Sequence, residues 1–103
     1  MADKTIMLVC AAGMSTSMLV KKMEQAAEKN GMDVEIFALS ANEADGKLAE
    51  KKIDIILLGP QVRFMKAKFE KKVEDQGIPV EVISMQDYGM MNGEKVLMTA
   101  VNL

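Results

Sequence analysis

The stretch Thr5-Ile6-Met7-Leu8-Val9-Cys10-Ala11-Ala12-Gly13-Met14-Ser15-Thr16-Ser17 passes from a continuous apolar run into a string of small and hydroxyl-bearing residues. No charge interrupts Thr5 to Cys10, the pattern of a strand covered on both faces in the middle of a parallel sheet. The small residues that follow allow the chain to turn tightly. Leu19, Met23, Ala26 and Ala27 then recur at the spacing of one helix face. Strand, compact turn and helix in that order open a parallel α/β sheet.

Outward from this unit the signature repeats. Ile53-Asp54-Ile55-Ile56-Leu57-Leu58 is a second nearly continuous apolar run and is followed by Gly59-Pro60-Gln61. Both apolar runs belong at the centre of the sheet. Val34-Glu35-Ile36-Phe37-Ala38-Leu39 and Val80-Glu81-Val82-Ile83 each carry a glutamate inside a β-rich run, which suits strands at the edges. Ser40 followed three residues later by Glu43 forms a capping box for a second helix, packed through Ala44 and Leu48 and weakened by Gly46. Val62, Met65, Phe69 and Val73 mark a third helix, and Val96, Leu97, Ala100 and Val101 a last one. Gly31 and Gly77 sit where helices end, with Pro79 as a further stop.

Alternating strands and helices with right-handed crossovers predict a doubly wound α/β fold: four parallel strands in the order 2-1-3-4, with helices on both faces. Residues 1–103 are expected to form a single domain. Ligands of open α/β sheets bind at the carboxyl ends of the strands where the winding direction switches. Between the first and third strands, that point receives Cys10 to Ser17 and Gly59-Pro60-Gln61.

Composition narrows the chemistry. The chain has 103 residues, half of them hydrophobic and 27% charged, enough for one core. Thirteen Lys and Arg against 15 Asp and Glu leave a net charge of -2, so no basic footprint for nucleic acid is present. With one cysteine and no histidine, an intramolecular disulfide, the usual zinc sites and any Ser-His-Asp or Cys-His pair are excluded. No metal or cofactor is expected. No apolar run approaches the roughly 20 residues of a membrane span, and Met1-Ala2-Asp3-Lys4 lacks the layout of a signal peptide, so a soluble, cytoplasmic protein is expected.

Cys10 therefore draws attention as a nucleophile. Small side chains from Ala11 through Ala12 and Gly13, then Met14, Ser15, Thr16 and Ser17 at the start of a helix, outline an anion cradle. Its backbone N–H groups would face a bound phosphate. Ser15, Thr16 and Ser17 can cap the helix or donate hydroxyl hydrogen bonds. A thiol in that field favours the thiolate near neutral pH and is expected to be accessible. The competing reading is a buried, inert cysteine at a strand end, with ordinary capping by the hydroxyl residues and a plain turn at Gly59-Pro60-Gln61. Asp87 and Tyr88 fall in Ser84 to Met91, read as a loop after the fourth strand. Tyr88 is an amphipathic contact for that loop or for a partner. Lys66, Lys68, Lys71 and Lys72 read as a solvated face.

Cys10 to Ser17, together with Leu57-Leu58-Gly59-Pro60-Gln61 and Asp87-Tyr88-Gly89, resembles the enzyme IIB component of the sugar phosphotransferase system, lactose/cellobiose (chitobiose) type. The likeness runs from Thr5 to the C-terminus. It implies a phosphoryl carrier: Cys10 accepts the group from a phosphohistidine of a IIA protein. It then passes the group to a β-linked disaccharide of the cellobiose, chitobiose or lactose kind as a membrane IIC transporter moves the sugar. Met14, Pro60, Gln61, Val62 and Tyr88 are expected to form the docking rim for these partners. The fold it implies is similar to that of the low-molecular-weight tyrosine phosphatases. Those enzymes and the related arsenate reductases are the alternative chemistry, but they place a phosphate-clamping arginine six residues after the cysteine. Thr16 occupies that position, and the chain's one arginine is Arg63. A redox-sensing cysteine is a further alternative, without a second cysteine to resolve it.

Overall fold

The computed structural model describes residues 4–10 and 14–102. The opening stretch forms β1, Lys4–Cys10. It pairs in parallel on one side with β2, Val34–Ser40, from Lys4 against Val34 to Cys10 against Ser40. On its other side it pairs with β3, Ile55–Leu58, from Ile6 against Ile55 to Val9 against Leu58. The short β4, Val80–Val82, completes the sheet beside β3, and the strand order is 2-1-3-4. The glutamate-bearing strands are the edges because Glu35 and Glu81 keep partial access to water there, while Ile6 to Val9 and Ile55 to Leu58 are buried.

The core lies in two layers, one on each face of the single sheet, as the two-residue period of the central strands requires. Ile6, Leu8, Ile55 and Leu57 face α1, Met14–Lys29, and α5, Gly93–Val101, through Leu19, Met23, Val96, Leu97 and Ala100. Met7, Val9, Ile56 and Leu58 face the opposite way, against Ala44 of α2, Ala41–Glu50, and Phe69 of α3, Lys66–Lys72. Each apolar strand is thus covered on both sides. Gly31 and Gly77 both take φ +67 after a helix, the left-handed turn in which glycine carries no side-chain clash.

Three local expectations need correction. The third helical pattern is not one helix: Pro60–Met65 is a 3₁₀ segment that gives way to α3 at Lys66. Gly59 enters it in an extended conformation, Pro60 stands in its first turn, Val62 N–H closes a 3₁₀ turn on the Gly59 carbonyl at 3.0 Å, and Val62 itself leaves helical geometry at φ -119, ψ 25. Ser84 to Met91 is not a plain loop, because Ser84 caps a short helix α4, Met85–Gly89, by accepting from Asp87 N–H at 3.1 Å. Ser40 does precede α2, but its hydroxyl bonds to the Glu43 carboxylate at 3.3 Å and no side-chain bond reaches a helix N–H.

Candidate functional site

Cys10 is the last residue of a central strand, so its position is set by hydrogen-bonded neighbours on both sides. Its thiol donates a long hydrogen bond of 3.9 Å to the Leu39 carbonyl of β2. On the other side Gly59 N–H, one residue past β3, donates to the Val9 carbonyl at 2.8 Å. A methyl group at position 59 would stand 3.7 Å from Cys10 Cβ, 3.6 Å from the Val9 carbonyl oxygen and 2.7 Å from Gln61 Oε1. Cys10 and Gly59-Pro60-Gln61 therefore meet at the switch between β1 and β3, as the strand order requires.

The thiol is not exposed as expected. Cys10 is only 2% accessible, enclosed at the end of β1 with β2 beside it and the Gly59 turn across from it. Of the expected cradle, Ala11, Ala12 and Gly13 lie outside the described residues, as do the side chains of Met14, Ser15 and Thr16. The backbone of Met14, Ser15 and Thr16 opens the 16-residue α1, and Ser17 lies exposed later in that first stretch of helix. The positive end of a long helix thus starts a few residues beyond Cys10.

Beside this point a groove of about 540 Å³ opens at the carboxyl end of the sheet. Pro60, Gln61, Arg63 and Phe64 line it from the 3₁₀ segment, and Met85, Tyr88 and Gly89 from α4. Phe64 is 77% exposed and Met85 71%, large apolar side chains standing in water. Of the expected docking residues, Gln61 is exposed, Pro60 is buried on its core side while bordering the groove, and Tyr88 packs partly against the α1/α5 core. Val62 does not belong to a rim: at 4% exposure it is part of the core between the sheet and α3, because the 3₁₀ turn directs it inward.

Arg63, Phe64, Met85 and Gly89 were not legible as groove residues. Phe64 alone left a trace, as a large apolar residue out of phase with Val62, Met65 and Phe69. Arg63 makes no ion pair among the described residues. The lysines that follow form the solvated face that their run suggests, Lys68, Lys71 and Lys72 exposed and Lys66 partly so, and two of them make surface ion pairs. Lys66 pairs with Glu81 at 3.2 Å, and Lys72 with Asp45. The hydrogen bond and charge of Glu81, then the charge of Glu70, hold the Lys66 ammonium above its ordinary pKa. Asp87 joins α4 to α5 through Lys95 at 3.5 Å. Among the described residues no helix is long and apolar enough to cross a membrane.

Comparison with known proteins bears on this arrangement. Residues 5–99 match the family model for the PTS system, Lactose/Cellobiose specific IIB subunit. The galactose-specific EIIB component of Lactococcus lactis subsp. cremoris is 59% identical over 106 residues, which span 100% of this chain and 98% of that protein. The cellobiose-specific EIIB component of Lactococcus lactis subsp. lactis is also 59% identical over 106 residues, again with 100% and 98% coverage. The solution structure of the cellobiose-specific phosphotransferase IIB component from Borrelia burgdorferi superposes with a TM-score of 0.76 at 43% identity, over 96% of this chain and 89% of that one.

Proposed function

The chain belongs to the lactose/cellobiose-specific IIB subunit family of the phosphotransferase system, and on that premise we propose that it is a cytoplasmic phosphoryl carrier working through Cys10. The Cys10 thiolate attacks the phosphorus of a phosphohistidine on a IIA protein. The S–P bond forms as the N–P bond breaks, and the imidazole nitrogen leaves with the electron pair. In the second transfer a sugar hydroxyl oxygen attacks the same phosphorus during passage through the membrane IIC transporter. The S–P bond breaks, the thiolate is regenerated and the hydroxyl proton passes to water. The whole of residues 1–103 acts as one carrier domain.

Cys10 at the end of a central strand, at the switch point and facing the Gly59 turn, is the observation that carries this function. An ionised thiol needs no general base for the first transfer, which suits a chain without histidine. Alignment in line with the departing nitrogen supplies much of the rate, and the equatorial oxygens are held by backbone N–H groups of Ala11, Ala12, Gly13, Met14, Ser15, Thr16 and Ser17. Without an arginine clamp to stabilise hydrolysis, the phosphocysteine is hydrolysed slowly but transferred quickly, and a fast spontaneous loss of phosphate in the absence of sugar and transporter would count against this. The phosphatase alternative lacks its clamp, since Thr16 stands where an arginine would and Arg63 lies in the groove.

The IIA and IIC partners dock over the carboxyl edge of the sheet, on Met14 and on the groove bordered by Pro60, Gln61 and Tyr88, where exposed Phe64 and Met85 add apolar area. The sugar is a β-linked disaccharide of the cellobiose, chitobiose or lactose kind. It is selected in the transporter, in keeping with equal identity to a galactose-specific and a cellobiose-specific relative.

Intact and peptide mass spectrometry after incubation with phosphoenolpyruvate, the general phosphotransferase proteins and a matched IIA tests this function. One phosphoryl group on the Cys10 peptide, absent from Cys10→Ser, is the expected result. No adduct with a competent IIA would overturn it.

A further inference from the structure

We propose that Gln61 is a second catalytic residue of this site, its carboxamide donating a hydrogen bond to a phosphoryl oxygen carried by Cys10; this rests on the phosphocarrier function above. Gln61 Oε1 and Cys10 Cβ come together over Gly59, at 2.7 Å and 3.7 Å from the point a β-carbon there would occupy. The Gly59 N–H bond to Val9 and the Pro60 ring set the direction in which the chain leaves β3, and so hold Gln61 over that point.

The Gln61 amide is exposed and makes no hydrogen bond among the described residues, so its donors are available to a ligand. A half-turn about the last side-chain torsion exchanges the oxygen for the NH₂ group at little cost, turning donors toward Cys10. Glycine at 59, whose extended backbone any residue could adopt, is then a requirement of the site, because a β-carbon there would displace the Gln61 amide from beside Cys10. A neutral donor also suits a carrier. A guanidinium would hold the phosphoryl dianion bidentately, whereas one amide N–H stabilises the developing charge and still lets the group depart. No proton moves at Gln61 in either transfer.

The test compares wild type, Gln61→Ala and Gln61→Glu in phosphorylation by a matched phospho-IIA at varied donor concentration. Gln61 is also labelled with ¹⁵N at its side chain. Gln61→Ala is expected to lower kcat about 10- to 100-fold, beyond any rise in KM that its place at the docking groove brings. Gln61→Glu, of the same shape but negatively charged, lowers it further. The labelled NH₂ resonances shift on phosphorylation of Cys10 in the otherwise wild-type protein. Rates within two-fold of wild type, or a rise in KM alone, would overturn the proposal and leave Gln61 a bystander or a docking contact. Failure of wild type itself to carry phosphate on Cys10 would instead overturn the carrier function, and this inference with it.

Discussion

Gly93 and Gly46 are both helical glycines, and the space around each gives substitution opposite signs. A β-carbon on Gly93 would lie 2.5 Å from the Lys22 carbonyl carbon and 2.6 Å from Met23 N, so α5 rests directly on the backbone of α1. Backbone cannot swing aside as a side-chain end can. Gly93→Ala is expected to destabilise the fold by about 1–3 kcal/mol, seen as a lower urea midpoint. At Gly46 nothing lies within 4 Å of the same added atom. Gly46→Ala in α2 should therefore raise the midpoint, by up to about 1 kcal/mol in stability. The weakness of Gly46 was readable from a helical pattern alone. The contact at Gly93 was not, since it depends on which helix lies opposite.

At the scale of the element, residue type announced where helices begin but not how their first N–H groups are satisfied. Asn92 accepts from Lys95 N–H at 3.2 Å and so caps α5, whose inner face packs on α1. Ser40, in a sequence that reads as a capping box, spends its hydroxyl on Glu43 instead. Asn92→Ala is expected to cost about 1 kcal/mol and Ser40→Ala only a few tenths, compared by thermal unfolding at one pH. The stripe Val62, Met65, Phe69 and Val73 likewise identified the inward residues, with Val62, Phe69 and Val73 buried and Met65 packed alongside. It missed the 3₁₀ break, because a spacing of three or four residues fits both helix types over so short a span.

Across the whole molecule, the ion pair of Lys66 and Glu81 ties α3 to the edge strand β4. Because the pair raises the Lys66 pKa in the folded state, its contribution is fully present below the ordinary lysine value of 10.5 and is lost as the pH climbs through the raised value. Both side chains are partly exposed, so the effect is small. Lys66→Met should show a slightly lower urea midpoint than wild type at neutral pH, and the two midpoints should converge as the pH is raised past 10.5. A difference that persisted in strong alkali would assign the loss to packing of the lysine stem.

The amino-acid sequence by itself determined the central and edge strands, and with them the order 2-1-3-4. An uninterrupted apolar run is stable only where both faces are covered, and a glutamate in a strand demands an edge. It also determined that Cys10 and Gly59-Pro60-Gln61 end neighbouring strands, because strand order and parallel direction leave them no other place. Tertiary structure alone decided what surrounds them: the enclosure of Cys10, the inward turn of Val62, the amide of Gln61 over Gly59, and a groove formed by Arg63 and Phe64 against Met85 and Tyr88. These depend on atoms distant in the chain approaching within a few ångströms, and local periodicity carries no record of such distances.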